Sequence, residues 1–313
     1  MAQSRPADEI VVVDDSSSDQ TAQIAGRYCR VVSEENHHGA GAARNRGARE
    51  AFGNVYAFID SDCVAPSDWL HNVEQALCEG DAGAVAGGYA GYLNTSFIGR
   101  FAFWELRDRR RQFSSNVRTA VSNNFAARSD LFWRAGGFPV CFRGATLEDM
   151  LLSYRIAQLS TIRWLEQNGI LHQFPDKLAA YCRQQFAFGR DTVAAYAMVP
   201  GLALVKTHQG RKIYFETALV GLSLAASLLV HPLSFAAACL AIPLLNASML
   251  RLCFTKEGFR FAAKAASFLP IRDLLWCGSV LWGILSLLSK RQLEPEPMDK
   301  AQAAHSAVSA IRK

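Results

Sequence analysis

Lysine is missing from the first 176 residues; the first is Lys177. All basic charge before it is arginine, which excludes an N-terminal mechanism that needs an ammonium group, a phosphate-loop lysine included. Charge is scarce throughout, at 19% of 313 residues, against about 25% in soluble proteins. With 50% of residues hydrophobic, a solvated disordered chain is excluded. There is no basic tail and no long basic run. A net charge of +5 is too small to point to nucleic acid, and it suits a protein beside an anionic membrane. The eight cysteines show neither CxxC nor zinc-ligand spacing, so reduced, partly buried thiols are expected. The residues after Met1 are polar, not an apolar signal segment, which fits a reducing compartment.

What the chain does have is a division between a mixed head and a greasy tail. From Ile213 to Leu250 the one formal charge is Glu216. Two apolar runs, Ile213–Val230 and Leu233–Leu250, are separated by His231-Pro232. Each is close to the length a spanning helix needs, and together they predict a helical hairpin. Lys206, Arg211 and Lys212 precede it, and Arg251, Lys256, Arg260 and Lys264 follow it. Both ends are therefore expected on the cytoplasmic side. Residues 251–267 mix basic groups with Phe, Leu and Ala, which suits a helix on the membrane surface. A third run, Leu274–Leu288, is shorter; spanning and re-entrant arrangements both remain open for it. The division expected is a catalytic domain over 1–200, transmembrane and interfacial helices over 201–292, and a polar tail over 293–313.

The head alternates strand and helix. Glu9–Val13, Val31–Val32 and Val55–Ile59 are β-branched or apolar, with helical stretches at Asp19–Tyr28 and Ala42–Ala51 between them. Such alternation predicts a largely parallel α/β sheet, whose ligands sit at the carboxyl ends of the strands. Acidic residues lie there: Asp14-Asp15 after the first strand and Asp60-Ser61-Asp62 after the third.

In extended backbone, residues i and i+2 project to one side. Asp60 and Asp62 would then repel unless a cation lies between them. An all-oxygen donor set points to Mg²⁺ or Mn²⁺, and Mg²⁺ is commonly shared between carboxylates and substrate phosphates. Asp-x-Asp alone is frequent in surface loops; its place after Val55–Ile59 gives it weight. Asp14-Asp15-Ser-Ser-Ser-Asp19 reads either as a turn and helix cap or as carboxylates for a nucleotide base and ribose. Gly39-Ala-Gly-Ala-Ala-Arg44-Asn45-Arg46-Gly47 puts glycines before a helix and arginines in its first turns, a phosphate cradle in form but not the dinucleotide fingerprint. Glu148-Asp149 opens another helix. Adjacent side chains diverge there, so one acid can face a substrate while the other bonds the protein. A helix start also favours acids through its dipole alone.

Taken in order, Glu9–Thr21, Gly41–Gly47, Phe58–Asp62, Asn124–Arg128 with Gly136-Gly137-Phe138, and Glu148-Asp149 with Arg155 resemble family 2 glycosyltransferases of the GT-A fold. The resemblance covers about residues 8 to 195. It implies an α/β GT-A-like sheet flanked by helices, followed here by a C-terminal helical membrane region. It also implies an inverting, metal-dependent transferase that takes a nucleotide-diphosphate sugar as donor and a lipid, lipid-linked or polysaccharide acceptor at the membrane. On that likeness Asp14, Asp15, Arg44, Asn45 and Asp60 bind the nucleotide sugar, and Asp62 with Asp60 holds Mg²⁺ or Mn²⁺. Asp149 is then the base, with Glu148 beside it, and His172 falls where some relatives place a histidine near the diphosphate.

Two departures stand out. The family usually opens with a strand and helix before the segment matching Glu9–Asp15, and only eight residues precede Glu9 here; a catalytically inactive membrane scaffold is therefore the alternative reading. Arg183–Arg190 also lacks the Gln-x-x-Arg-Trp of processive synthases, which favours single addition. A receiver domain, which also places an Asp pair after its first strand, is excluded because it needs a lysine well before Lys177.

Overall fold

The computed structural model describes residues 3–110, 113, 115–140, 146–205 and 211–289. Its strands are β1 (Val11–Asp14), β2 (Arg30–Ser33), β3 (Val55–Phe58), β4 (Cys63–Val64), β5 (Ala82–Tyr92), β6 (Asn116–Val117), β7 (Phe125–Arg128) and β8 (Thr161–His172). Its helices are α1 (Thr21–Ala25), α2 (Ala40–Glu50), α3 (Trp69–Cys78), α4 (Phe97–Arg110), α5 (Ser129–Arg134), α6 (Glu148–Leu159), α7 (Leu178–Met198), α8 (Arg211–Leu229), α9 (Leu233–Leu245), α10 (Ala247–Glu257) and α11 (Phe259–Leu288). They fall into two compact units, one of residues 3–88 and 115–170, the other of residues 89–113 and 171–289.

In the first unit β1 and β2 pair in parallel, Val12 opposite Val31, as a sheet of their own. The remaining strands form a second sheet in the order β3-β7-β5-β8-β4, with β6 on β8. The parallel pairing expected from the sequence holds for β1 with β2. In the larger sheet β7 enters antiparallel to both β3 and β5, and β6 is antiparallel to β8, so these pairings depart from the parallel expectation. Its centre is made of small and aromatic residues: Ala84, Ala126 and Ala127 are fully enclosed, and Phe125 and Phe132 fill the space beside them. Helices α5 and α6 bring Leu131, Met150, Leu151 and Ile156 into the same core.

The second unit is helical. The sequence grouped α4 and α7 with the head, but both pack with the C-terminal helices. Helix α7 lies close against α11 because glycines face the contact. A Cβ on Gly283 would come within 2.7 Å of the Arg190 carbonyl, and one on Gly189 would overlap the Ser279 hydroxyl. Small residues let helix backbones approach in this way. Trp276 Nε1 donates to Gln185 Oε1 across the same seam at 2.9 Å.

Within this unit lies a buried ion cluster. Arg272, in the middle of α11, is 2% exposed. It donates to Glu105 of α4, Glu216 of α8 and its neighbour Asp273. Arg109 and Tyr181 also donate to Glu105, and Asn246 donates to Glu216. The lone charge of the first apolar run is therefore a partner of the buried basic group of α11.

Among the described residues, α8 and α11 are long and apolar enough to cross a membrane, and α9 with α10 makes a third if the bent pair counts as one span. The run Leu233–Leu250, expected as one limb of a hairpin, is bent by 62°. Asn246 is the cause. Its side chain turns back to Glu216 and the Ile242 carbonyl, and Pro243 just before it has no N–H to hold the helix straight. The short run Leu274–Leu288 is the end of a much longer helix, because Arg272 and Asp273 point inward. Lys206, Lys290-Arg291 and the tail 293–313 lie outside the described residues.

Candidate active site

The site is built in the first unit from the ends of β1 and β3 and the starts of α2 and α6. Asp14, last residue of β1, is buried at 7% exposure and accepts from the Ser17 N–H at 3.3 Å. Asp15 follows it in the turn. Both its carboxylate oxygens are taken: Oδ1 accepts from the His38 N–H and Oδ2 from the Gly39 N–H, each at 2.8 Å. Gly39 is at φ 92°, a conformation that suits glycine, and it opens α2. A helix N-terminus attracts an anion. Here that anion is the chain's own Asp15, with the His37 ring 2.9 Å from the same carboxylate.

Arg44 projects from the first turns of α2 and bridges two acids. One guanidinium nitrogen donates to Asp60 Oδ1 at 2.7 Å and another to Glu148 Oε1 at 3.0 Å. The Phe138 ring lies 5.5 Å from the guanidinium carbon. Burial works against the charge, but Asp60, Glu148 and Asp149 outweigh it and hold the Arg44 pKa above its usual value. Asn45 turns away from the acids. Its amide donates to the Phe138 carbonyl and accepts from the Phe138 N–H, both at 2.8 Å. It thereby clamps the Gly136-Gly137-Phe138 turn, whose two glycines sit at φ 89° and 65°. A Cβ on Gly137 would meet Asn45 Oδ1 at 2.7 Å, so this turn needs its second glycine twice over.

Asp60 and Asp62 do not lie on extended backbone. The Cys63 N–H donates to the Asp60 carbonyl at 3.1 Å, and residues 60–63 form a turn between β3 and β4. The same-side argument from strand geometry is thus replaced by a tighter loop that leaves Asp62 exposed and Asp60 half-buried against Arg44. The Cys63 thiol donates to Asp62 Oδ1 at 3.5 Å. Burial and then the negative charge of Asp62 and Asp60 push its pKa well up, so it stays a neutral thiol. The two carboxylates on this turn are hard oxygen donors, which fit Mg²⁺ or Mn²⁺.

Glu148 and Asp149 open α6 and differ sharply. Glu148, 3% exposed, is committed to the protein through Arg44 and through the Thr146 N–H, which donates to Oε2 at 2.8 Å. Asp149 is half-buried and accepts from the Ser122 N–H at 3.2 Å and its neighbour Met150 N–H at 2.7 Å. Desolvation, then the charge of Glu148, raises its pKa to about 7, with Arg44 pulling in the opposite direction. A carboxyl group that exchanges its proton near neutrality is suited to general-base work.

The structure therefore gathers Asp60, Arg44, Glu148 and Asp149 into one connected group. Asp15 and Asn45 hold the loops on either side. His172 ends β8 in the other unit, stacked on Tyr89 with ring centroids 5.2 Å apart and edge-on to Phe174. Sequence reasoning gave no role to two participants, Phe138 under the Arg44 guanidinium and the Ser122 N–H on Asp149. The paired glycines at 136–137 were the available signal for the first; a backbone donor left none for the second.

A family model described as glycosyl transferase family 2 matches residues 1–136. The glycosyltransferase GlyG of Streptococcus pneumoniae is 32% identical over 102 residues, 31% of this chain and 33% of that protein. WfgD of Escherichia coli, a UDP-Glc:alpha-D-GlcNAc-diphosphoundecaprenol beta-1,3-glucosyltransferase, is 29% identical over 97 residues, 30% of this chain and 38% of that protein. The matched part thus spans about a third of GlyG and 38% of WfgD. Among solved structures, the mannosyltransferase PcManGT of Pyrobaculum calidifontis, in complex with GDP-Man and Mn²⁺, superposes with a TM-score of 0.52 at 18% identity, covering 90% of this chain and 80% of that one. That likeness shows the fold, an α/β GT-A-like sheet flanked by helices.

Proposed function

We propose that this chain, whose residues 1–136 match the model of glycosyl transferase family 2, moves a sugar from a nucleotide-diphosphate donor to a lipid, lipid-linked or glycan acceptor at a membrane, with inversion. The observation that carries the reading is Asp149. It is a carboxyl group at a helix start, raised to about 7 by burial and by the charge of Glu148, which is itself held in an ion pair with Arg44. Asp149 takes the proton of the acceptor hydroxyl as that oxygen attacks the anomeric carbon from the face opposite the leaving group. Glu148 stays bonded to Arg44 and Thr146, so it does not compete for that proton. Arg44 keeps Asp60 and Glu148 at fixed places and limits how far the Asp149 pKa climbs.

On this reading Asp14 and Asp60 contact the nucleoside, while Asp15, Arg44 and Asn45 act on the donor through the loops they hold. Asp62, with Asp60, would hold Mg²⁺ or Mn²⁺. Such an ion, when bound, neutralises the diphosphate leaving group. A metal in this role is in keeping with the Mn²⁺ of PcManGT. A lipid-linked acceptor is in keeping with the name of WfgD and with helices long and apolar enough to cross a bilayer. The catalytic unit is then cytoplasmic and the chain multi-pass.

The experiment is donor binding and hydrolysis over a panel of nucleotide sugars with the full chain in nanodiscs, beside Asp62→Ala. Metal-dependent donor binding should vanish in the folded variant; unchanged nucleotide and Mn²⁺ binding by calorimetry would remove Asp62 from the metal. A non-catalytic scaffold on the same fold is the second reading. It is favoured by the separation of β1 and β2 from the other six strands. A folded, membrane-inserted chain that binds no nucleotide sugar would select it.

A further inference from the structure

Helix α10 ends at Gly258, where φ is 88°, and α11 starts immediately after it. The sequence around this elbow carries one acid, Glu257, against Arg251, Lys256, Arg260 and Lys264. The structure separates the two signs. Glu257 turns inward, where its carboxylate accepts from Tyr92, Arg100 and Trp104. Arg251, Lys256, Arg260 and Lys264 stay exposed. Every exposed formal charge over residues 247–267 is therefore positive. Arg260 and Lys264 are four residues apart and share one face of α11. Two phenylalanines flank the elbow in the open, Phe254 at 55% and Phe259 at 72% exposure.

The outer face of α11 then changes character. From Ile271 to Leu288 the exposed residues are Ile, Leu, Trp and Gly, whereas Arg272 and Asp273 are buried. At about 1.5 Å per residue that stretch is close to the roughly 30 Å of a hydrocarbon core. The basic band thus sits at one end of an apolar span, level with headgroups, with two aromatic side chains beside it. We infer that the α10–α11 elbow is a binding surface for anionic lipid headgroups. It takes phosphate-bearing lipid of net negative charge in preference to zwitterionic lipid. Inward-turned Glu257 leaves all four charges uncompensated, since in the open it would cancel Lys256.

The test uses the delipidated full chain in detergent, titrated with phosphatidylglycerol or phosphatidylcholine and read by native mass spectrometry. The wild type should bind phosphatidylglycerol more tightly. Arg260→Gln with Lys264→Gln should weaken that binding by about fivefold per charge removed and leave phosphatidylcholine unchanged. Because Lys264 also lies over the Phe97 ring, 4.5 Å from its centroid, Lys256→Gln with Arg260→Gln is the second variant and should behave alike. Arg27→Gln with Arg134→Gln removes two exposed charges from the other unit as the matched control. Equal affinity for the two lipids in the wild type overturns the inference, and so does a control that loses as much as the elbow variants. The readout needs no transferase activity, so its failure is separate from failure of the catalytic reading.

Discussion

Asp149 is held in a state that favours chemistry over stability. Its pKa is raised in the fold, so the folded protein binds a proton that the unfolded chain releases above about 4. Its contribution to stability is therefore fully present below the unfolded value and is lost as pH rises toward 7. Asp149→Asn should melt at a higher temperature than the wild type at pH 8 and near the same temperature at pH 4, by thermal denaturation at both. Turnover should fall by about 10² to 10⁴-fold with donor affinity almost unchanged; loss of donor binding instead would move the base elsewhere. Arg44 offers a second check. Its charge lowers the Asp149 pKa, so Arg44→Gln should move the acidic limb of the rate profile to higher pH. A limb that stays in place would mean that Arg44 does not act on Asp149. At this scale the sequence named the acids but not their bonds. Asp15 and Asn45 look like ligand residues in the sequence and are loop anchors in the fold, because backbone N–H donors leave no mark in a pattern of side chains.

At the scale of elements, the helix starts were legible and the strand directions less so. Gly39 before α2 and Glu148-Asp149 at α6 are start signals that the fold uses. Nothing in residues 125–128 says that β7 will run against its neighbours, since direction is set by the path of the chain between strands. The apolar runs located α8 and α11, but their ends and bends depend on buried partners. Glu216 reads in the sequence as the lone charge of a greasy run, and Arg272 lies just before another; in the fold they are a salt bridge, with Glu105 and Asp273 sharing the cation. Removing one side of such a cluster leaves uncompensated buried charge and costs about 3–5 kcal/mol. Arg272→Met should therefore sharply lower the melting temperature of the reconstituted chain, with three carboxylates left behind. Glu216→Gln should cost less, because Asn246 can still bond the amide and Arg272 keeps two acids. Equal losses in the two variants would show that the cluster does not act as one network around Arg272.

For the whole molecule the question is which sides of the bilayer its ends occupy. Basic residues on short loops mark the cytoplasmic side, and the described ones collect at Lys212 and again at the α10–α11 elbow. Between them lies His231, in the turn between α8 and α9, with Leu228, Leu229, Val230 and Leu233 all exposed around it. If α8 crosses and the bent α9–α10 pair returns, His231 is on the far side and Lys256 on the cytoplasmic side. The bend does not prevent the return: 13 residues of α9 and 11 of α10 rise about 36 Å along their axes, enough to recross even when kinked. His231→Cys in a cysteine-free full chain should then react with a membrane-impermeant maleimide added outside intact cells. Lys256→Cys should react only after the cells are opened. Labelling of both from the same side would turn α8 and α9 into a re-entrant pair. It would leave α11 as the remaining helix long enough to cross, and the basic elbow would then mark the start of a single anchor.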